Sequence, residues 1–520
     1  MLSFLMISSL FSLAPAQAVD DDLQLENWSV FRAGPSGSIL EPSAVMGTDG
    51  TVHLVYLNRD TAYTDWYLRP NYLRYAELSG GEWNHTDLRS GFFSFADIAL
   101  DDDGHAHILC AMRWNDTVDL VYWNNANGTW VSENVAQFDT DDARNVDLAV
   151  DQEGKVHAVF GIGDVSDENI TYQYVTNAQG NWTFAPFYSV AYWVGLNCLP
   201  DLEIDSSGRA HIAYVTVNDF VYGGWDSGEW AIELMTWDGG DWTDVKNISL
   251  PSRCNSLSLQ LDEGGYEHIL YHYVTSSAEF PGPVVLAQWN ASGLSWGGIA
   301  DGTWLCELHL DQEGNERFMF MHEDNYFFVG DHRTGGQDSS VRVPAGTYPA
   351  SRDPGALSEQ GAVILLFDSL SEELLLYMPG SVSSYPEIVG LEMTDDGVRL
   401  EWDAVASDVN VSEYHVYRAA ISGEVVPLTI DIRPFVVPAN ETRMTDDTLG
   451  DIPEWSLLHY RISVITDQGE EYIGEMSTLY INNDGEEGLD TSGFMLIVAA
   501  IAIVVLAVIV VILLVIRNKK

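Results

Sequence analysis

A short phrase that recurs about every fifty residues is the feature that most constrains this fold. Most copies place an acidic residue, two turn residues, a glycine and then an apolar strand in the same order. The clear copies are MGTDGTVHLVY (46–56), LDDDGHAHILC (100–110), VDQEGKVHAVF (150–160), IDSSGRAHIAY (204–214), LDEGGYEHILY (261–271) and LDQEGNERFMF (310–320). A seventh, degraded copy is LSEQGAVILLF (357–367). A period of this length predicts a repeat architecture with one supersecondary unit per copy.

Each phrase predicts a β-hairpin with a tight turn. An Asp side chain can accept hydrogen bonds from the turn backbone, and a Gly can adopt the positive φ that such a turn requires. A His follows three residues after the glycine in most copies. The predicted structural turn residues are Asp101, Gly104, His107, Asp151, Gly154, His157, Asp205, Gly208, His211, Asp262, Gly265 and His268.

A second hairpin follows in most copies and closes on a Gly-x-Trp pattern, as in LVYWNNANGTWVSENV (120–135). Four short antiparallel strands per repeat are typical of a β-propeller blade. The seventh copy lacks its own tryptophan strand, whereas ENWSVFRA (26–33) precedes the first repeat without partner strands. We therefore expect an all-β propeller over 26–380, closed by this N-terminal strand. Seven blades are favoured, with six or eight as alternatives.

The recurrent histidines have two interpretations. They could line a channel and act as metal ligands or bases, or each could bond its own turn as part of the framework. A feature present in nearly every copy is better explained by what each copy needs, so we favour the structural role and assign no catalytic and no metal-binding residue. Acidic clusters at Asp101–Asp103 and 138–142 are weak Ca²⁺ candidates, since neither has the spacing of a calcium loop.

Beyond the repeats, VRLEWDA (398–404), SEYHVYRA (412–419) and LLHYRISVITDQGEEY (457–472) resemble strands of a fibronectin type III domain. The resemblance covers 385–482 and implies a β-sandwich. Trp402 would lie in an early core strand, Tyr414 and Tyr417 in the middle strand, and a tyrosine of 458–464 would tie its strand to a neighbouring loop.

The propeller resembles, more loosely, the repeat propellers of microbial cell-surface proteins, for which an archaeal source is expected. Its turn phrase departs from the sialidase Asp box, because the Asp lies three residues before the Gly and a His replaces the Trp. The resemblance therefore implies a fold and no activity.

The two ends of the chain predict a membrane-anchored surface protein. Residues 1–18 have an apolar stretch and a small-x-small cleavage pattern typical of a signal peptide. Residues 483–493 form an acidic linker, and residues 494–516 carry no charge and are long enough for one transmembrane helix. The basic tail 517–520 places the C-terminus in the cytoplasm and the N-terminal ectodomain outside the cell membrane.

In an extracellular location, cysteines can form disulfides and sequons can be glycosylated. Cys198 and Cys254 occupy nearly equivalent places in successive repeats, so they are either a disulfide or two buried thiols. Candidate N-glycosylation sites are Asn27, Asn84, Asn115, Asn127, Asn169, Asn181, Asn247, Asn290, Asn410 and Asn440.

The formal charge of −55 argues against nucleic acid as a partner. Two functions remain. The first is a non-catalytic receptor or adhesin whose propeller head recognises an extracellular glycan or protein. The alternative is a surface-anchored hydrolase or lyase acting on polysaccharide or protein. No cofactor is expected, apart from the Ca²⁺ candidates.

Overall fold

A computed structural model describes residues 28–481 of the chain apart from short internal stretches. The longer of these stretches are 33–38, 60–70, 192–199, 219–227, 275–281, 380–385 and 449–455. Within the described residues all regular secondary structure is β-strand, as the sequence predicts, and they include no helix of the length and apolarity that a bilayer crossing requires. The predicted signal peptide 1–18, linker 483–493, membrane helix 494–516 and tail 517–520 lie outside the described residues.

After the first strand, β1 (Trp28–Arg32), six four-stranded antiparallel sheets follow one another along the chain. The first contains β2 (Ile39–Met46), β3 (Val52–Arg59), β4 (Asn71–Ser79) and β5 (Glu82–Gly91). The second contains β6 (Phe93–Leu100), β7 (Ala106–Trp114), β8 (Thr117–Asn124) and β9 (Val131–Phe138). The third contains β10 (Asp142–Val150), β11 (Val156–Asp164), β12 (Asn169–Thr176) and β13 (Thr183–Ala191).

The next three sheets repeat this order. The fourth contains β14 (Asp201–Ile204), β15 (Ala210–Asn218), β16 (Glu229–Trp237) and β17 (Trp242–Leu250). The fifth contains β18 (Cys254–Leu261), β19 (Glu267–Tyr273), β20 (Gly282–Asn290) and β21 (Gly293–Gly302). The sixth contains β22 (Cys306–Leu310), β23 (Glu316–Met321), β24 (Tyr326–Asp331) and β25 (Gly336–Arg342).

The N-terminal strand joins the last repeat. That repeat contributes β26 (Thr347–Pro349), β27 (Gly355–Ser358), β28 (Gly361–Asp368) and β29 (Glu373–Pro379). Strand β28 pairs with β26, β27 and β29, and β29 pairs antiparallel with β1, with Trp28 opposite Pro379. This is the pairing that the sequence predicts for the unpartnered N-terminal strand.

The first strands of successive sheets contact one another in order, from β2 through β6, β10, β14, β18 and β22 to β27, and β27 contacts β2 again. The sheets are therefore packed face to face around a common centre in a propeller-like arrangement. The second strand of a sheet has sheets on both sides, so in β7 the first seven residues are all buried. The outermost strand β9 is mostly exposed, as expected for the rim.

Residues 388–481 form a separate group of strands. They are β30 (Ile388–Thr394), β31 (Gly397–Trp402), β32 (Val411–Ser422), β33 (Val426–Pro438), β34 (Arg443–Asp446), β35 (Ser456–Thr466) and β36 (Glu471–Ile481). Strands β30, β31 and β34 form a three-stranded sheet, and β33, β32, β35 and β36 pair side by side. Trp402, Tyr414 and Tyr460 are buried in their shared core. Strand β36 also meets β1 through Val30 and Glu471.

Candidate functional site

The repeated Asp and Gly residues build the turn between the first two strands of each sheet. The Asp101 carboxylate accepts hydrogen bonds from the backbone N–H groups of Asp103 at 3.0 Å and His105 at 2.8 Å. Gly104 has a φ of 80° and donates its N–H to the Asp101 carbonyl at 2.9 Å. Only a residue without a Cβ adopts this φ without strain, so the turn explains why both residue types recur.

The other predicted turns have the same geometry. Asp151, Asp205 and Asp262 each accept the N–H groups two and four residues later. The glycines at these turns also have positive φ, 73° for Gly154, 76° for Gly208 and 74° for Gly265.

The histidines of the second and third sheets are buried and bonded at both ring nitrogens. Nε2 of His157 lies 3.3 Å from the Asp151 carboxylate, and its Nδ1 lies 2.6 Å from the Tyr174 hydroxyl. His107 makes the equivalent contacts with Asp101 and Tyr122 at the same distances. Burial lowers the pKa of both imidazoles. With both nitrogens engaged, neither ring offers a free atom to a substrate or metal.

In the fourth and fifth sheets, different residues bond the Nδ1 atom of the histidine. Leucine occupies the position of the tyrosine, and a glutamate of the next sheet replaces its hydroxyl. Nδ1 of His211 lies 3.3 Å from Glu267, and Nδ1 of His268 lies 3.1 Å from Glu316. Lys246 Nζ donates to both Glu267 oxygens at 2.6 and 2.7 Å. The two glutamates stand where earlier copies have Val or Ala, and this exchange is the sequence signal that could have revealed them.

Tryptophans of the Gly-x-Trp strands complete these networks across the seams between sheets. Trp130 packs on Tyr75 with ring centroids 4.8 Å apart, and Trp182 packs on Tyr122 at 5.5 Å. Trp242 packs on Tyr174 at 5.7 Å. Each tryptophan belongs to the sheet after that of its tyrosine, so these side chains hold neighbouring sheets together.

A cavity of about 760 Å³ lies at the centre, and residues of the first strands of all seven repeats line it. Its wall carries a row of polar side chains seven residues before the turn glycine in six of the copies, and this row was not predicted from the sequence. They are Ser43, Asp97, Asp147, Asp201, Ser258 and Glu307.

Several of these side chains bond the neighbouring first strand. Asp147 accepts the N–H of Leu202 at 2.5 Å, and Asp201 accepts the N–H of Leu259 at 2.9 Å. Ser258 accepts the N–H of Leu308 at 3.0 Å. The constant spacing of seven residues before the glycine was the sequence signal that could have revealed these side chains. It was overlooked because an isolated mid-strand Asp or Ser is not diagnostic in so acidic a chain.

Four acids of this wall, Asp97, Asp147, Asp201 and Glu203, have raised pKa values. Burial, and next the Glu203 carboxylate, raise the pKa of Asp201 to about 7. Burial, and next the Asp147 carboxylate, raise the pKa of Asp97 to about 7 and that of Glu203 to about 8. Burial and the Asp201 carboxylate raise the pKa of Asp147 well above its usual range, and the two side chains are hydrogen-bonded to each other. Two carboxyl groups this close favour holding one proton between them over ionising both.

The copies also differ along the cavity wall at the position five residues before each glycine. The first three copies have Val45, Ala99 and Ala149, whereas the next three have Glu203, Gln260 and His309. All six positions line the cavity, and the last three lie on the consecutive, contacting first strands β14, β18 and β22. Gln260 donates its amide to Glu203. One sector of the wall thus carries an acid, an amide and an imidazole that the framework does not require in every copy. This asymmetric sector is the candidate functional site.

The remaining predicted sites are spread over the surface. Asp102 and Asp103 are exposed at their turn, and Asp142 pairs with Arg144. In the part of the chain that the structure describes, no group of three or more His, Cys, Asp and Glu side chains is arranged to hold a metal ion.

The thiol of Cys254 is buried and free, and it donates to the Ser256 carbonyl at 3.1 Å. Its predicted partner Cys198 lies outside the described residues, so the disulfide stays a prediction. Asn27 and Asn115 also lie outside them. The other predicted glycosylation sites are all exposed, namely Asn84, Asn127, Asn169, Asn181, Asn247, Asn290, Asn410 and Asn440.

No sequence family matches the chain, and no curated protein matches it in sequence. Among solved structures it is similar to an α-L-arabinanase of Penicillium chrysogenum complexed with arabinobiose. That likeness has 12% identity and a TM-score of 0.39, and it covers 68% of this chain and 97% of the arabinanase. An α-L-arabinofuranosidase of Fusarium graminearum matches at 8% identity and a TM-score of 0.39, over 68% of this chain and 98% of its own.

The polysaccharide lyase Uly1 matches at 12% identity and a TM-score of 0.42, over 70% of this chain and 94% of its own. By their names, these three neighbours are an arabinanase, an arabinofuranosidase and a polysaccharide lyase. At such low identities and TM-scores, the chemistry of this chain has to be inferred from its own residues. The chain is an all-β protein with a propeller-like repeat domain.

Proposed function

We propose that the repeat domain is a propeller enzyme that hydrolyses glycosidic bonds in a carbohydrate polymer at the asymmetric sector of its central cavity. The observation that carries this proposal is the placement of Glu203, which accepts the Gln260 amide, in the same cavity wall as the hydrogen-bonded carboxyl pair Asp147 and Asp201. The raised pKa of Glu203, about 8, fits this arrangement. Glycoside hydrolysis requires one protonated carboxyl group as general acid and one carboxylate as nucleophile or base.

In this proposal Glu203 protonates the leaving oxygen. Gln260 fixes the orientation of its carboxyl group through the amide hydrogen bond. The Asp147–Asp201 pair supplies the second function, because two carboxyls that share one proton keep one negative charge. That charge stabilises the positive charge that develops on the sugar, or activates water.

Hydrolysis is favoured over a lyase reaction by the charge of the cavity. The described wall residues include no lysine or arginine. A lyase that removes a proton next to a uronate must neutralise the substrate carboxylate, and this acidic wall would repel it. We therefore assign neutral polymers as the substrate class.

The second candidate is non-catalytic recognition of a glycan or protein. The observation that favours it is the backbone hydrogen bonding of Asp147 and Asp201, which Ser258 reproduces at the equivalent position. This hydrogen bonding gives those carboxylates a structural role in joining neighbouring first strands. Glu203 does not take part in these hydrogen bonds to the neighbouring backbone, and for this reason catalysis is placed first.

The test is to incubate the purified full chain with neutral polysaccharides and with uronate polymers at pH 5 to 8. New reducing ends without unsaturated products, from neutral polymers alone, are the expected result. Unsaturated products from uronates would instead assign a lyase. Tight binding without any cleavage would favour the recognition function.

We further propose seven blades. The closed order of contacts among seven first strands supports this count, as does the pairing of β1 with β29. For residues 385–482 we propose a fibronectin type III-like sandwich. Its support is the three-plus-four strand pairing and the Tyr460 hydroxyl, which donates to Asp446 at 2.7 Å and so ties β35 to the end of β34.

The cellular setting is also a proposal. The apolar segments 1–18 and 494–516 support a microbial, archaeal surface protein with a single C-terminal membrane span and an extracellular head. The exposure of every described sequon asparagine fits that location. Protease treatment of intact cells should release the propeller head and leave the C-terminal segment in the membrane fraction.

A further inference from the structure

The first strands present their side chains to the central cavity in two layers. Successive residues of a strand point to opposite sides, so the residues five and seven positions before a turn glycine share one side. In β14 these residues are Glu203 and Asp201, and Leu202 between them is buried in the core. Both layers line the cavity, and the strand rise places them about 6.7 Å apart along the chain.

The layer five residues before the glycine lies at one level in the six clear repeats. Each of its residues is paired across the hairpin with the residue three after the glycine, as Ala149 is with His157 and Glu203 with His211. The other four pairs have the same register. In the order in which the first strands contact one another, the layer contains Val45, Ala99, Ala149, Glu203, Gln260 and His309. One side of this layer is therefore apolar, and the other side is able to form hydrogen bonds.

The polar side of the layer suits hydroxyl groups. A protonated carboxyl group, a primary amide and a neutral imidazole each both donate and accept hydrogen bonds, as a hydroxyl group does. Gln260 donates to Glu203, and the raised pKa of Glu203, about 8, fits a carboxyl group that can also donate. An anionic ligand would need donors alone and a metal ion would need acceptors alone. Groups that do both favour a ligand with several hydroxyl groups.

The apolar side of the layer consists of short side chains. Ala99 and Ala149 end at a methyl group and offer no hydrogen bond, so a polar ligand atom placed against them would lose its bonds to water. Only C–H groups pack there without that cost. The short side chains also leave space, and the cavity volume of about 760 Å³ lies within the range of about 300–1,000 Å³ that is usual for ligand sites. A sugar ring, with C–H groups on its face and hydroxyl groups on its edge, satisfies both sides.

We propose that this layer is the sugar-binding subsite of the cavity, in which one ring of a neutral polysaccharide packs its C–H face on Ala99 and Ala149. The hydroxyl groups of the ring bond Gln260 and His309 on the other side. The inference rests on the proposed function, hydrolysis at Glu203, for its ligand class. Ala99 and Ala149 then determine specificity through the space that they leave, because longer side chains at these positions would exclude the ring.

The test is calorimetric titration of the full chain with cellohexaose, mannohexaose, xylohexaose and arabinohexaose, in a Glu203→Gln background so that no hexaose is cleaved. Ala149→Leu should weaken the binding of the preferred hexaose at least about tenfold by filling the subsite. Ala99→Leu is a second filled variant, on a different sheet, with the same expected result. His309→Leu should weaken binding about three- to tenfold through loss of a hydrogen bond. Ala178→Leu is the matched control, since Ala178 is exposed at a turn of the third sheet, and it should leave binding unchanged.

Cleavage of the same hexaoses by the native chain is measured separately, and unfolding temperatures show which variants are folded. Binding that the folded filled variants leave unchanged, or no binding of any of the four hexaoses, overturns the proposal. Binding that the filled variants weaken, without cleavage by the native chain, supports the subsite and refutes hydrolysis at Glu203. Cleavage with the same KM in the native chain and in Ala149→Leu with Glu203 intact refutes the subsite and leaves hydrolysis standing.

Discussion

Replacing Glu203 by Gln should make the protein more stable at pH 8. The pKa of Glu203 is raised from 4.5 to about 8 by burial and then by the Asp147 carboxylate. The folded state therefore binds a proton that the unfolded chain has released, so the native stability falls as the pH rises from about 4.5 to about 8. The amide of Gln carries no charge and can still accept the hydrogen bond from Gln260.

The magnitude follows from that pKa difference. Each pKa unit is worth about 1.4 kcal/mol, which sets a ceiling of about 4 kcal/mol for the gain at pH 8. Relaxation of the wall around the ionised carboxylate reduces this, and we expect a gain of about 1–3 kcal/mol. At pH 4 the carboxyl group is protonated in both states, so the gain should shrink to within about 0.5 kcal/mol.

The assay is urea-induced unfolding of the native chain and the Glu203→Gln variant at a series of pH values between 4 and 8. Glu263→Gln is the matched control, because Glu263 is exposed at a turn and its replacement removes the same charge from this very acidic chain. Equal or lower stability of Glu203→Gln at pH 8, relative to both the native chain and the control, would refute the description of Glu203 as an acid whose ionised form the cavity wall disfavours. Replacing a functional residue that lowers the stability of the fold is expected instead to raise that stability.

Other consequences concern the turns and the seams. Glu267→Ala removes the buried carboxylate that bonds the half-buried Lys246 amine and should cost about 2 kcal/mol at pH 7 by thermal unfolding. Because hydrogen bonds from its neighbours lower the pKa of Glu267 despite burial, this loss should fade as the pH falls through that lowered pKa. Gly154→Ala forces an L side chain to a φ of 73° and should cost about 1–2 kcal/mol, whereas Gly297→Ala, with open space and no positive φ, should be neutral. Tyr174→Phe should cost about 1 kcal/mol by removing one buried hydrogen bond, and a loss below the error of the measurement would contradict the proposed network.

The sequence predicted the periodic parts of this structure because those parts obey local rules. An Asp and a Gly at fixed spacing define a turn, and alternating apolar residues define strands, so Asp151 and Gly154 could be placed without knowledge of the fold. The pairing of β1 with β29 was also predictable, since an N-terminal strand without partners faced a repeat that lacked one.

The site was harder to predict because it depends on which strands become neighbours. Asp147 and Asp201 are far apart in sequence and meet only when two first strands converge on the centre. Glu203 is unremarkable among the 78 acidic residues of the chain until the cavity encloses it. Glu267 belongs to the fifth sheet but replaces a tyrosine hydroxyl that would come from the fourth. The sequence of a single repeat therefore does not show both the loss of the tyrosine and the gain of the glutamate.

The most direct test of catalysis in the cavity is the rate at which reducing ends are released from a neutral polysaccharide by the Glu203→Gln variant. A general acid contributes about 10²- to 10⁴-fold, so the variant should lose at least about a hundredfold in kcat while remaining folded. Glu263→Gln should keep the native rate. Release of reducing ends by Glu203→Gln at the native rate would contradict the assignment of Glu203 as the acid, and with it the central cavity as the active site.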